Sequence, residues 1–450
     1  MTAYADNPSL IVSAARRLAA FALWAACIAF AHITAAAPQI QRWDTTNGAR
    51  VYFVQAMELP MVDIQLVFDA GSARDGDTPG LALLTNTLLD DGAGDLDADA
   101  IATGFEELGA QFGTSSLRDM GSLTLRSLSD RRYLDPALDL FALILRSPSF
   151  PADALERERN RLLVALQSQE QSPEDIADKA FFRAIYGDHP YASDPLGTPE
   201  SLQALDREDL ENFYREYYVA RNAVIALVGA LDRKDAERVA QRLADGLAAG
   251  SHAAPLPAVA PLKEAATVHV EYPSSQTHVL VGAAGMTRDD PDYYALYVGN
   301  HVLGGSGLVS RISTEIREKR GLAYSAYSYF SPMRAAGPYT LGLQTRGDQT
   351  AQAVNIVGST LAGFIADGPT AAELTASKKN ITGGFPLRIA SNSGIAGNLA
   401  MIGFYDLPLD YLDRFNERVE AVTAEQIRDA FQRRVHPGRM VTVTVGTSAP

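Results

Sequence analysis

A chain of 450 residues, 47% of them hydrophobic, is long and apolar enough for two or more domains with cores of their own, which excludes a disordered protein. Its 54 acidic residues against 39 basic ones give a formal net charge of -15, and no basic stripe interrupts that surplus. A nucleic-acid partner is therefore excluded, because binding a phosphate backbone runs on clustered Lys and Arg. At the start of the chain, Arg16 and Arg17 precede an apolar run, Leu18–Phe30, and the small-residue tail Thr34-Ala35-Ala36-Ala37-Pro38. That pattern predicts a secretory signal peptide over residues 1–37, cleaved near Ala36 or Ala37, and hence an exported, periplasmic protein of a bacterium. The run falls short of the roughly 20 residues a bilayer core requires, so no permanent membrane anchor is expected. Cys27, the only cysteine, lies inside the run, and Trp24 three positions before it argues against a lipoprotein. The mature chain is expected to have neither a disulfide nor thiolate chemistry.

Past the leader, Ala49–Gln55 and Asp63–Ala70 alternate like strands, and Pro79-Gly80 marks a helix start. Ile101, Phe105 and Leu108 recur at helical spacing up to Gly109, and Ser122–Leu128 reads as a further strand. The acidic run Asp95, Asp97, Asp99 and Glu106 has the outline of a calcium loop, but Ala100 stands where glycine is needed. A helix through the same residues, with acids at its N-terminus, accounts for them better. The second half opens with a strand at His278–Ala284, continues through a helix over Tyr293–Leu303, and returns to strands at Tyr324–Phe330 and Tyr339–Thr345.

The two halves close alike. Asn222–Gly229 and Arg439–Gly446 are each an alternating strand ended by glycine after an amphipathic helix, which points to an internal duplication. Ala248–Leu262, rich in Ala and Pro without an apolar period, reads as the linker. The predicted fold class is α+β: two homologous domains in tandem, residues 38–247 and 263–450, each a mainly antiparallel sheet backed by helices.

An ordered set of landmarks carries a family resemblance. They are Ala70-Gly-Ser-Ala-Arg-Asp75 before Gly80-Leu81-Ala82, Leu108-Gly109-Ala110, Gly187-Asp-His-Pro-Tyr191, Leu196-Gly-Thr-Pro-Glu200, Tyr217-Tyr218, Leu303-Gly-Gly-Ser-Gly307, and Arg317-Glu-Lys-Arg-Gly-Leu-Ala-Tyr324. In this order the chain resembles the insulinase/pitrilysin family of inverted zinc peptidases, in particular its processing-peptidase-like members. The resemblance implies half of a peptidase clamshell, closed by a second such half.

In active relatives Gly-Leu-Ala is followed at once by H-x-x-E-H, with two His one helical turn apart on zinc and the Glu activating water; a Glu from a later helix completes the ligand set. Here Leu83 and Thr87 stand at the His positions, Asn86 at the base and Ala165 at the third ligand. Hydrocarbon offers no lone pair, and a neutral amide or hydroxyl neither makes a good zinc set nor takes a proton near neutral pH. No metal is expected in this chain. The seven His are scattered, with no pair at i and i+4, and His189, His278 and His436 read as structural.

Leu308, Ile312 and Ile316 predict one apolar helix face, with Arg311 and Glu315 paired across a turn and Lys319 and Arg320 before Gly321. Arg317 and Tyr324 are then expected to converge at the corner between this helix and the next strand; Tyr327 and Tyr329 read as packing. The resemblance gives Arg317 and Tyr324 the role of donors to the scissile carbonyl as it gains charge, and gives Gly304, Gly305 and Gly307 that of a glycine-rich loop touching substrate. Transition-state donors without a metal imply a heterodimer with an H-x-x-E-H subunit that brings zinc, acting on a peptide. The alternative is a non-enzymatic peptide-binding, assembly or chaperone protein of the same fold.

Overall fold

Strands that alternate, together with Ala223–Gly229, which is apolar throughout and buried at every position, build two main sheets, each from one half of the chain. The computed structural model describes residues 39–447, so the expected leader lies outside the described residues. In the first sheet the strands stand in the order Gln41–Asp44, Arg50–Gln55, Ala223–Gly229, Met61–Phe68, Gly121–Leu128, Gln111–Ser116. In the second the order is Ala266–Glu271, Val441–Gly446, Gln276–Met286, Gly337–Arg346, Ala326–Phe330. Without the first hairpin strand the two orders correspond strand for strand. In both, the last strand of the half runs parallel to the first and antiparallel to the next. The mixed α+β, two-domain architecture is the predicted one.

The helices do not stay with their own half. Pro173–Tyr186 from the first half packs on Val441–Gly446 and Gln276–Met286 of the second sheet, and Asn392–Phe404 from the second half packs on Ala223–Gly229 and Met61–Phe68 of the first. Gly403 allows that approach, since a Cβ there would lie 2.5 Å from Val224 and 2.6 Å from Tyr52. Phe181, Ile185 and Tyr186 accordingly share a core with Leu280, Val441, Val443 and Val445.

Between the halves sits Asp119, buried. Its Oδ1 accepts from the Tyr191 hydroxyl, and its Oδ2 accepts the Arg334 N–H at 2.8 Å and the Tyr405 hydroxyl at 3.0 Å. Burial raises its pKa, while the Tyr191 hydroxyl and the other donors oppose the rise. The segment 248–262 holds no helix or strand and runs past His189, whose Nε2 lies 2.9 Å from the Pro257 carbonyl. Asp97 caps the helix Ala98–Glu107 by accepting from the Ala100 N–H, so one acid of that run works as a helix cap.

Candidate functional site

The helix Leu81–Thr87 begins at Gly80, whose φ of 95° only glycine adopts freely. Asp75 holds its first turn: the carboxylate accepts from the N–H of Gly80 at 2.9 Å and of Ala82 at 2.7 Å. Leu84 and Leu88 are fully buried with Leu162 and Leu166 of the adjoining helix Ala152–Gln169, while Leu81 and Leu83 pack half-buried on that cluster. The metal-site positions thus lie on two helices in contact: Leu83 and Thr87 half-buried and Asn86 buried on one, Ala165 half-buried on the other.

Asn86 donates through Nδ2 to the Tyr218 hydroxyl at 3.0 Å, a purely structural bond. These four side chains do not fit zinc, and among the described residues no other His, Cys, Asp and Glu side chains gather as a ligand set. Sequence reasoning missed the acids that remain nearby. Burial pushes Asp90 up to about 6, with Asp91 and Glu158 adding to the rise; Asp91 itself is paired to Arg157 at 2.8 Å.

The second group of candidates is on the other half. After the cap residue Ser310, one α-helical turn, Arg311–Ser313, widens into a π turn, Thr314–Glu318, closed by Lys319 N–H to Thr314 carbonyl at 3.0 Å. The wider turn rotates the side chains that follow, so the expected Arg311–Glu315 pair does not form. Arg311 instead grips Glu373 at 2.6 and 2.7 Å, and Glu315 takes Lys319 and Arg320, each at 2.6 Å. Leu308, expected on the apolar face, precedes the helix and is 59% exposed. Ile312 and Ile316 are buried as expected.

The turn aims Arg317 at Tyr324, with the guanidinium carbon 5.0 Å from the ring centroid and Glu318 3.7 Å from Nε. Tyr324 lies in a bend just before the strand Ala326–Phe330 rather than within it, and is 85% exposed. Cation–π contact holds the guanidinium over the ring and leaves N–H groups of Arg317 and the phenol open to a ligand.

Of the glycines, Gly304 ends up in a π turn, His301–Gly305, that continues the helix Tyr293–Asn300. A Cβ on it would stand 2.2 Å from the Ser328 hydroxyl and 2.5 Å from the Ser328 nitrogen. A Cβ on Gly305 would lie 3.1 Å from the Asn300 amide, and Gly307 has φ 63°. All three line a cleft of 680 Å³. Arg288, His301, Asn380 and Arg388, which also line it, were missed because they are scattered through the sequence. The sequence signal that could have pointed to the cleft is the i, i+4 pair Tyr293 and Tyr297, whose rings stack on its wall. Tyr327 and Tyr329 stack with centroids 5.7 Å apart and form part of the cleft wall.

Comparison with known proteins accords with this geometry. Residues 50–199 match the profile of insulinase (Peptidase family M16), and residues 204–381 match that of the peptidase M16 inactive domain. The structure resembles the crystal structure of a peptidase M16 inactive domain from Pseudomonas fluorescens, with TM-score 0.88 and 42% identity, covering 91% of this chain and 98% of that one. A protease from Helicobacter pylori shares the fold with TM-score 0.83 at 20% identity, over 91% of this chain and 99% of that one. In sequence the chain is 28% identical to the uncharacterized zinc protease YmxG of Bacillus subtilis, over 80% of this chain and 87% of that protein. It is 27% identical to the non-peptidase homolog YmxG of Helicobacter pylori, over 82% and 85%. With hydrocarbon, amide and hydroxyl groups at the metal-site positions, this chain belongs to the insulinase family, peptidase family M16, as one of its inactive members.

Proposed function

We propose that this chain is the zinc-free, substrate-gripping subunit of a heterodimeric metalloendopeptidase exported to the periplasm, and that an H-x-x-E-H subunit facing it holds the zinc at which peptides are cut. The observation that carries this reading is the Arg317–Tyr324 pair, a half-buried guanidinium held over a solvent-exposed phenol on a chain whose own metal positions cannot bind zinc. Exposed apolar side chains close to them in sequence, Leu308 and the 83% exposed Val309, are what a covered interface would use. In the closed pair Arg317 and Tyr324 donate hydrogen bonds to the scissile carbonyl oxygen as it becomes negative. One such donor contributes about 2.7–4 kcal/mol in other enzymes.

The test is reconstitution with a similar-length H-x-x-E-H protein encoded beside it. The pair is expected to cleave peptides that neither chain cleaves alone, and Arg317→Ala to lower kcat about 10²–10³-fold with zinc content unchanged. An unaltered kcat removes the role assigned to Arg317. The cleft beside Gly304 and Gly307 favours a second reading, a peptide-holding or assembly protein without enzymatic output. That reading prevails if the pair assembles and binds peptides yet cleaves none.

A further inference from the structure

The cleft of the second half has a charge at odds with the molecule. In a chain of net charge -15, Arg288 and Arg388 line it, and no Asp or Glu does. Many arginines elsewhere are taken by carboxylates, as Arg311 is by Glu373 and Arg433 by Asp292. Among the described residues neither Arg288 nor Arg388 has a carboxylate within salt-bridge distance; each reaches a phenol instead, Tyr411 and Tyr297 respectively, both at 3.1 Å. The Arg288 Nε is buried without any partner. Between the two guanidinium groups run the stacked rings of Tyr293 and Tyr297, 5.8 Å apart and nearly parallel, with Arg288 lying 4.9 Å from the Tyr293 centroid. Asn380 Oδ1 is engaged by His301 Nε2 at 3.1 Å, which leaves the Asn380 amide N–H groups as further donors on the cleft wall. A half-buried guanidinium without a counter-charge is costly, and a planar fork of donors matches a carboxylate in shape and charge.

We infer that this cleft is a carboxylate-recognising subsite, in which Arg288 and Arg388 seat an acidic side chain or a free C-terminus of a bound peptide while the tyrosines pack along its backbone. The inference rests on the reading of this half as the substrate-gripping one and names the class of substrate it prefers.

Three N-acetylated peptides of one length, built from Ala, Ser and Gln, test it by calorimetry against this chain alone. One carries a central Glu and an amidated C-terminus, one has only a free C-terminal carboxylate, and one has no carboxylate. Either or both of the first two are expected to bind at least about tenfold more tightly than the third, and the pattern identifies the source of the carboxylate. Arg388→Gln, on an exposed side chain and so without a folding defect, is expected to remove most of that preference, and raised salt to shrink it. Equal binding of all three peptides, or a full preference surviving in Arg388→Gln, overturns the subsite. Because no partner is present, failure of the heterodimer to cleave leaves this result standing, and failure here leaves the heterodimer standing.

Discussion

Asn86, which the family resemblance sets at the place of the catalytic base, serves the core of this chain. Its amide donates to the hydroxyl of Tyr218, a fully enclosed phenol whose pKa burial raises. Asn86→Leu, close in size but without a donor, strands that hydroxyl and is expected to cost about 1–3 kcal/mol in urea unfolding. A variant as stable as the parent would show that the bond has no structural role. Asp90 gives a pH signature nearby. Burial, with Asp91 and Glu158 close by, pushes it up to about 6 from an ordinary 3.8. The folded state then holds its proton more tightly than the unfolded one, so this contribution to stability is complete below about pH 4 and is lost as pH rises to about 6. At roughly 1.4 kcal/mol per unit, the loss is on the order of 1–3 kcal/mol. Asp90→Asn is expected to flatten that part of the urea midpoint profile, and an unchanged slope would count against the burial argument. The substitutions at Leu83, Asn86, Thr87 and Ala165 were legible in the sequence because zinc ligation needs particular atoms at fixed spacing. Asp90 was not, because its shift arises from surroundings that only the fold supplies.

The two π turns are the elements that sequence periodicity blurred. Ile312 and Ile316 fit an α-helix, and one added residue per turn leaves their spacing intact while it moves Glu315 away from Arg311. Likewise Tyr293–Leu303 read as one helix, whereas Tyr293–Asn300 gives way to His301–Gly305, held by Asn300 against Ser328 through bonds of 2.8 and 2.6 Å. The glycines here separate packing from backbone freedom. Gly304→Ala drives a Cβ into the Ser328 hydroxyl and backbone nitrogen, and is expected to cost about 3 kcal/mol as overpacking. Ser328→Ala does not rescue it, because the nitrogen still stands 2.5 Å away. Gly307→Ala meets nothing within 4 Å and bears only the left-handed backbone, about 1 kcal/mol. Comparison of the two melting curves checks the order; a costlier Gly307→Ala would mean that the loop is built differently.

At the scale of the molecule, the central strands were legible because strand patterning and terminal glycines are local, whereas the strands Gln41–Asp44, Gln111–Ser116 and Ala266–Glu271 were not read; nor was the helix exchange, because periodicity reports a buried face without naming its cover. Asn392–Phe404 buries Ile395, Ala396, Leu399, Ala400, Ile402, Gly403 and Phe404, and nothing in that pattern says that the sheet beneath it belongs to the other half. Tyr52, Val54, Val67, Val224, Ala226 and Val228 form the matching surface of the first sheet and share one core with second-half residues. Burying six such side chains is worth on the order of 10 kcal/mol, comparable to the roughly 5–15 kcal/mol that stabilises a typical domain. Residues 39–262 expressed alone therefore keep a sheet with one bare face and are expected to aggregate or remain unfolded, as residues 263–447 are without Pro173–Tyr186. Produced together, the two fragments are expected to combine, and the intact chain to lose both halves in one urea transition when tryptophan fluorescence and circular dichroism are followed in parallel. Without residues 1–38, which carry Trp24, the fluorescence comes from Trp43, which reports on the first sheet, where it packs on Phe53. Trp43 fluorescence changing at a different midpoint from the bulk helical signal would mean that the halves unfold separately, and that the exchanged helices do not bind them into one cooperative unit.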